Sequence, residues 1–195
     1  EHSPVTGVSY ENGVTLTTAH GTLRAPRMIL AVNGFAPGFG FFKGRLLRFS
    51  LHASLTRPLD DDERRALGGK DEWGLTPANP YVSTTMRFTR NRRLLIRHGV
   101  VYRPSLRTPE TQRLAVRAVH EGRLRQRFPM LPKVTIEHTW NGYVCLSRNK
   151  APGFGLVAPN VWAAVCQNGV GVTGGTVSGM LAADLACGID NPLIA

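Results

Sequence analysis

Within this 195-residue sequence, Gly169-Val170-Gly171-Val172-Thr173 is the stretch best suited to seat a ligand. It follows Val161–Val165, an apolar run short enough for a buried strand, and a break at Asn168-Gly169. From Thr176 to Cys187, apolar Val177, Met180, Leu181 and Leu185 recur at roughly helical spacing, and Gly188 follows. This order predicts strand, glycine turn through Gly175, helix and glycine stop. Gly169 and Gly171 put no side chain between the turn and a docked group. The helix start would direct free N–H groups and partial positive charge at the same place. Such a turn can hold an electron-rich ring edge or an anion, or simply make a tight connection. A second polar turn, Asn33-Gly34, ends the run Arg27–Val32, which reads as a strand covered on both faces. Ligands of open α/β sheets lie past the carboxyl ends of such strands.

Other reactive residue types show no working pattern. His2, His20, His52, His98, His120 and His138 are scattered, without triad or metal-ligand spacing, so no metal site is expected. Cys145, Cys166 and Cys187 are widely spaced in apolar or small-residue settings. They read as buried thiols of a reducing compartment, which points to the cytoplasm. The net charge of +11 raises the alternative of a free-standing basic module for nucleic acid or another polyanion. Aromatic residues do not interleave with a basic run as a base-stacking platform requires, which disfavours nucleic acid. No run approaches a membrane span.

The elements that must position the turns follow in order. Val5–Tyr10, Val14–Thr18 and Gly21–Arg24 alternate as strands around Asn12-Gly13, a hairpin signal. Arg45–Thr56 reads as a long strand, Asp60–Leu67 as a short helix anchored by Leu59 and Leu67, and Trp73–Pro80 as loop. Tyr81–Thr89 and Arg93–Val101 read as paired strands turning at Arg90–Arg92. Pro109–Phe128 reads as a helix with Leu114, Val116, Ala118, Val119, Leu124 and Phe128 on its apolar face. Val134–Trp140 and Gly142–Leu146 read as two further strands. The sum is an α+β chain: an antiparallel sheet with flanking helices over residues 43–145, and partial α/β elements at 1–42 and 146–195.

The order of several segments resembles one family. These are Gly21–Ala25 leading into Ile29–Gly34, Arg87–Thr89 with Arg93–Leu95, Phe128–Leu131 before Trp140–Gly142, Ala151–Gly155, and Gly169–Thr173 with Gly179. Together they are similar to the carboxy-terminal half of FAD-dependent amino-acid and amine oxidases of the D-amino-acid oxidase superfamily. That group includes glycine, sarcosine and gamma-glutamylputrescine oxidases. The resemblance implies a partial FAD domain at 1–42, a substrate domain at 43–145 and a returning FAD-domain strand and helix at 146–195. It implies FAD contacts at Asn33, Gly34, Gly169, Val170, Gly171, Val172 and Thr173. It implies oxidation of a C–N bond of a small amine or amino acid by hydride transfer to flavin. Arg97 and His98 become catalytic candidates, beside the reading that they are rim charges. Trp140 and Tyr143 become substrate-pocket walls, beside a role in the core. Cys145 lies off the position that attaches flavin in some relatives, so the flavin is expected to be non-covalent.

Gly169–Gly174 satisfies a bare Gly-x-Gly-x-x-Gly. However, its place near the carboxyl end, with no following strand ending in an acidic residue, argues against the dinucleotide fingerprint. The chain is therefore expected to be a fragment lacking the amino-terminal Rossmann half. FAD is expected to be absent or weakly bound in the chain alone, and the chain inactive without that half or a partner subunit that replaces it.

Overall fold

The computed structural model describes residues 2–76 and 83–194. The opening segments form as their alternation predicts: Val5–Ser9 (β1), Val14–Thr18 (β2) and Gly21–Ala25 (β3) pair antiparallel in that order. Asn12 and Gly13 take φ of +53° and +104°, the left-handed geometry a tight reversal needs. Met28–Leu30 (β4) follows, then a 3-10 segment over Asn33–Phe39.

The chain divides into two compact units, Glu1–Arg48 with Val144–Ala195, and Phe49–Tyr143. Both breaks fall inside long strands, Leu46–Thr56 (β5) and Ile136–Ser147 (β9). In the first unit, Gly153–Ala158 (β10), Val161–Val165 (β11) and β4 form a sheet in the order β10-β11-β4. β11 runs antiparallel to β10 and parallel to β4. Helix Gly171–Cys187 (α3) packs on this sheet and buries the small residues Ser178, Ala182 and Ala186. Leu30, Ala36, Cys145, Ala163, Val165 and Cys166 make this unit's core.

In the second unit, Trp73–Leu75 (β6), Thr85–Phe88 (β7) and Leu94–Tyr102 (β8) complete a five-stranded sheet, order β6-β7-β8-β5-β9. The β6–β7, β7–β8 and β8–β5 pairs are antiparallel. Helix Asp61–Leu67 (α1) opens with a capping box between Asp60 and Glu63. Helix Glu110–Arg127 (α2) buries His120 and Leu124. The core runs through Leu59, Phe88, Ile96, Leu124 and Phe128. The architecture is α+β, as the sequence predicts.

Several local expectations are corrected. β4 is three residues long, and Ile29 is 39 % exposed while Leu30 is buried, so one face of this strand lacks cover among the described residues. Trp73–Leu75 is an edge strand rather than loop, because Trp73 stacks against Phe88 with centroids 6.1 Å apart; residues 77–82 of that region lie outside the described residues. The strand expected from Tyr81 begins at Thr85 among those described. Val134–Leu146 does not break at Asn141-Gly142: neither residue takes positive φ, so the dipeptide stays extended within β9. Leu114 and Val119 are exposed on α2, and the inward face runs instead through His120, Leu124 and Phe128. Helix α3 begins at Gly171, not Thr176. Gly174 is small for contact, not for a turn, since a Cβ there would stand 2.9 Å from Gln167 Oε1. Cys187, the last residue of α3, is exposed rather than buried. Among the described residues no helix is long and apolar enough to cross a membrane.

Candidate functional site

The two turns marked in the sequence meet in the first unit. A cavity of about 290 Å³ is lined by Ala31 and Asn33 on one side, and by Cys166, Asn168, Gly169, Gly171 and others on another. Asn33 has φ +48° and turns the chain out of β4. Its Oδ1 accepts from the Cys145 thiol at 2.9 Å and from the Cys166 N–H at 3.2 Å, which ties β4 to β9 and to the end of β11. Cys166, Asn168 and Gly169 take φ of +58°, +51° and +90°. Asn168 holds that unusual path: its Oδ1 accepts from the Ser147 N–H at 2.8 Å, and its Nδ2 donates to the Lys150 carbonyl at 3.0 Å. These bonds sustain a backbone that would otherwise be strained.

Helix α3 starts at the cavity wall. Val170 is its N-cap and makes no side-chain cap, so the first-turn N–H groups of Gly171, Val172 and Thr173 have no intrahelical acceptor. A Cβ added to Gly169 or Gly171 would meet nothing within 4 Å, so space lies open in front of both. Val170 and Val172 are exposed, by 61 % and 86 %. Gly34 is buried, a Cβ on it would stand 3.6 Å from Arg48 and Cys145 side-chain atoms, and it does not line the cavity. No spacing in the sequence singles out Gln167, yet its Nε2 is buried with no partner among the described residues.

Cys145 and Cys166 are both buried. Interaction with the neighbouring Cys166 side chain, and then burial, push the Cys145 thiol up. The same interaction with Cys145 holds the Cys166 thiol below its usual range, assisted by the Asn168 backbone and the Ser147 side chain. Cys145 therefore stays a thiol and donates to Asn33. Among the described residues no cluster of His, Cys, Asp or Glu could hold a metal ion.

In the second unit, Arg97 and His98 are adjacent on β8 but do not converge. Arg97 Nη2 donates to Thr85 Oγ1 at 2.8 Å, and His98 Nδ1 pairs with Thr84 Oγ1 at 3.0 Å. Successive strand side chains leave opposite faces, so the two residues serve opposite faces of the sheet. Ile96 and His98 share the face covered by α2. Burial, then Arg123 and Arg97, hold the His98 imidazole below its usual range. Tyr143 OH pairs with Thr108 Oγ1 at 3.0 Å, and Thr108 with Ser50 at 3.2 Å, within the polar layer of that same face. Trp140 is 42 % exposed and follows Thr139, which bonds Ser54 beneath α2; it leaves by the other face, as Arg97 does.

That polar layer went unread in the sequence. Ser50, His52, Ser54 and Thr56 alternate along β5 and are all buried. The signal is four polar residues at period two, but Leu51, Ala53 and Leu55 between them are apolar, and the run reads as a strand either way. Thr56 Oγ1 accepts from the Leu94 N–H at 2.9 Å, and His52 Nε2 is buried without a partner among the described residues. Burial, then Arg103, lowers the His52 pKa. Burial also lowers that of His120, the largest cause there.

Comparison with known proteins follows the same lines. A family model described as FAD dependent oxidoreductase matches residues 1–185. Gamma-glutamylputrescine oxidoreductase of Escherichia coli is 29 % identical over 194 residues, covering 96 % of this chain and 43 % of its own length. Glycine oxidase from Geobacillus kaustophilus superposes with a TM-score of 0.70 at 17 % identity, over 98 % of this chain and 50 % of that one. Iminodiacetate oxidase from a Chelativorans species gives 0.70 at 16 % identity, over 98 % and 51 %. These solved structures share the fold. The chain spans about half the length of the relatives it matches.

Proposed function

The chain belongs to the FAD-dependent oxidoreductase family, and from that premise we propose that it supplies one wall of a flavin site and the substrate-facing sheet of an amine or amino-acid oxidase. The observation that carries this reading is the single cavity lined by both Asn33 and the Gly169–Gly171 turn, with the start of α3 beside it. An electron-rich ring edge fits that place on three grounds. Among the described residues the first-turn N–H groups have no intrahelical acceptor, the space before Gly171 is open, and the Gln167 amide N–H lacks a partner. Asn33, Gly34 and Gly169–Thr173 are the residues we assign to the cofactor, with Gly34 acting through its packing. FAD, when bound, would accept the hydride from the carbon that bears the amine nitrogen. The attachment would be non-covalent: Cys145 lies off the position that attaches flavin in some relatives, and its buried thiol donates to Asn33.

The substrate contacts divide by face. Arg97 can hold a carboxylate by charge-assisted hydrogen bonds, and Trp140, on the same face, can wall the apolar part of a substrate. His98 and Tyr143 support that surface from the α2 side. The substrate class is a small amine or amino acid. The remainder of the flavin site comes from polypeptide beyond these residues, so the chain alone binds FAD weakly and is inactive. The buried free thiols suit a cytoplasmic setting.

The test is anaerobic reduction of the flavin in the whole protein by a panel of D-amino acids, glycine, sarcosine and gamma-glutamylated polyamines. Bleaching by at least one, followed by reoxidation in air, is expected. A flavin that none of them reduces contradicts the reading.

A further inference from the structure

β8 does not pair evenly with β5. Leu51 stands opposite Val100 and Ala53 opposite Arg97, so His98 and Gly99 together face the single residue His52. This is a β-bulge, and Gly99 takes φ +82°, which L side chains rarely adopt. A bulge interrupts the ladder, and the backbone groups it frees need other partners. The His98 carbonyl finds one outside the sheet, His120 Nε2 on α2, at 3.4 Å.

His120 is fully buried, and its ring roles follow from that acceptor. A carbonyl only accepts, so Nε2 carries the proton and Nδ1 is left to accept. The Ser54 hydroxyl lies 2.8 Å from Nδ1 and donates to it. Ser54 Oγ in turn accepts from the Thr139 hydroxyl at 3.0 Å. The chain therefore runs one way, from Thr139 on β9 through Ser54 on β5 and His120 on α2 to the His98 carbonyl on β8. Each link satisfies a buried polar group that would otherwise be costly.

We propose that His120 is a positioning residue: it clamps the bulge at His98-Gly99 and so fixes the direction in which Arg97 leaves the sheet. The inference rests on the reading of Arg97 as the carboxylate contact. Arg97 is the last residue of β8 in register before the bulge, so any rotation there is passed directly to its side chain. Thr84 and Thr85 restrain the side chains of His98 and Arg97, while His120 holds the carbonyl that follows them.

Two substitutions separate the clamp from mere packing. His120→Gln can present an N–H at the level of Nε2, whereas His120→Asn reaches only to the level of Nδ1. Both remove ring volume and keep an amide. In the whole protein, His120→Asn is expected to lower kcat/KM by roughly 10–100-fold and His120→Gln by no more than about threefold, the scale on which misplacement of a binding group acts. The NMR shift of the His98 carbonyl carbon, measured on the same variants, should move with Asn and stay with Gln. Leu124→Ala, a packing loss on the same helix, should cost Tm without lowering kcat/KM. Equal kcat/KM and equal carbonyl shifts in the Asn and Gln variants would overturn the clamp. An Arg97→Met protein with unaltered KM would overturn the reading beneath it, and the carbonyl shift distinguishes the two failures because it reports the hydrogen bond and not turnover.

Discussion

At the scale of single residues, the second unit is notable for histidines kept neutral. Burial is the largest cause lowering the pKa values of His52, His98 and His120, with the arginines near His52 and His98 adding to it. An unfolded chain takes up protons on these rings near pH ~6.5. Above that pH both states are neutral. As the pH falls below it the unfolded state binds protons first, so stability drops until the lower folded values are reached. Glu63, Glu110 and Glu137 are held down chiefly by hydrogen bonds from Arg57, Arg113 and Arg93, so their stabilisation is lost only below about pH 4.3. Melting temperature should therefore fall already between about pH 6.5 and 5, and His120→Gln should flatten that slope. A flat profile there would contradict the buried-histidine account. Arg97→Met should raise KM for a carboxylate substrate by roughly 10–100-fold, from about 1.5–3 kcal/mol of charged hydrogen bonding, with a smaller effect on an amine lacking the carboxylate. None of this histidine chemistry was legible beforehand. Spacing along the chain does not reveal that His120, on a helix, meets a carbonyl freed by a bulge 22 residues away.

At the scale of elements, what the sequence predicts well are segments whose own periodicity and caps agree. Helix α1 is one: Asp60 accepts from the Glu63 N–H at 2.8 Å and Glu63 returns a bond to the Asp60 N–H at 3.1 Å. Asp60→Ala should cost about 1 kcal/mol, measurable as a lowered denaturation midpoint. Glu63 also anchors Arg57 through paired bonds at 2.7 and 2.6 Å, so Glu63→Ala should cost more than Asp60→Ala. Several of the departures involve glycine. In β10, Gly153 is small because a Cβ would stand 2.8 Å from Val165 Cγ2 and 2.9 Å from Phe42 Cζ. That requirement comes from packing and cannot be seen in a linear pattern. Gly142, expected to open a new strand after a break at Asn141, lies extended inside β9, and Gly171, expected in a turn, begins a helix. Across the chain glycine answers three different physical needs: left-handed φ at Gly99, close approach at Gly153, and open space at Gly171.

At the scale of the whole molecule, α3 buries little: Ser178, Ala182 and Ala186 face the sheet, while Val172, Val177 and Met180 are 86 %, 51 % and 65 % exposed. Ile29 and Leu156 of the same unit are exposed as well. So much exposed apolar side chain accords with a chain that spans about half the length of its relatives. If these side chains face the rest of the flavin site, their exposure is relieved in the whole protein. The chain alone should therefore bind a hydrophobic dye strongly and carry no FAD through gel filtration, and co-expression with the remaining polypeptide should reverse both.

Flavin titration of the whole protein with and without Gly171→Leu tests the central claim most directly. Gly171 has an ordinary φ and open space before its Cα, so the substitution should leave the fold and its circular dichroism intact while filling the cavity shared with Asn33. The account predicts that FAD affinity falls by roughly 100-fold or more, the cost of about 3 kcal/mol expected when a bound ring is displaced from its donors. An unchanged FAD affinity in the folded Gly171→Leu protein would contradict it.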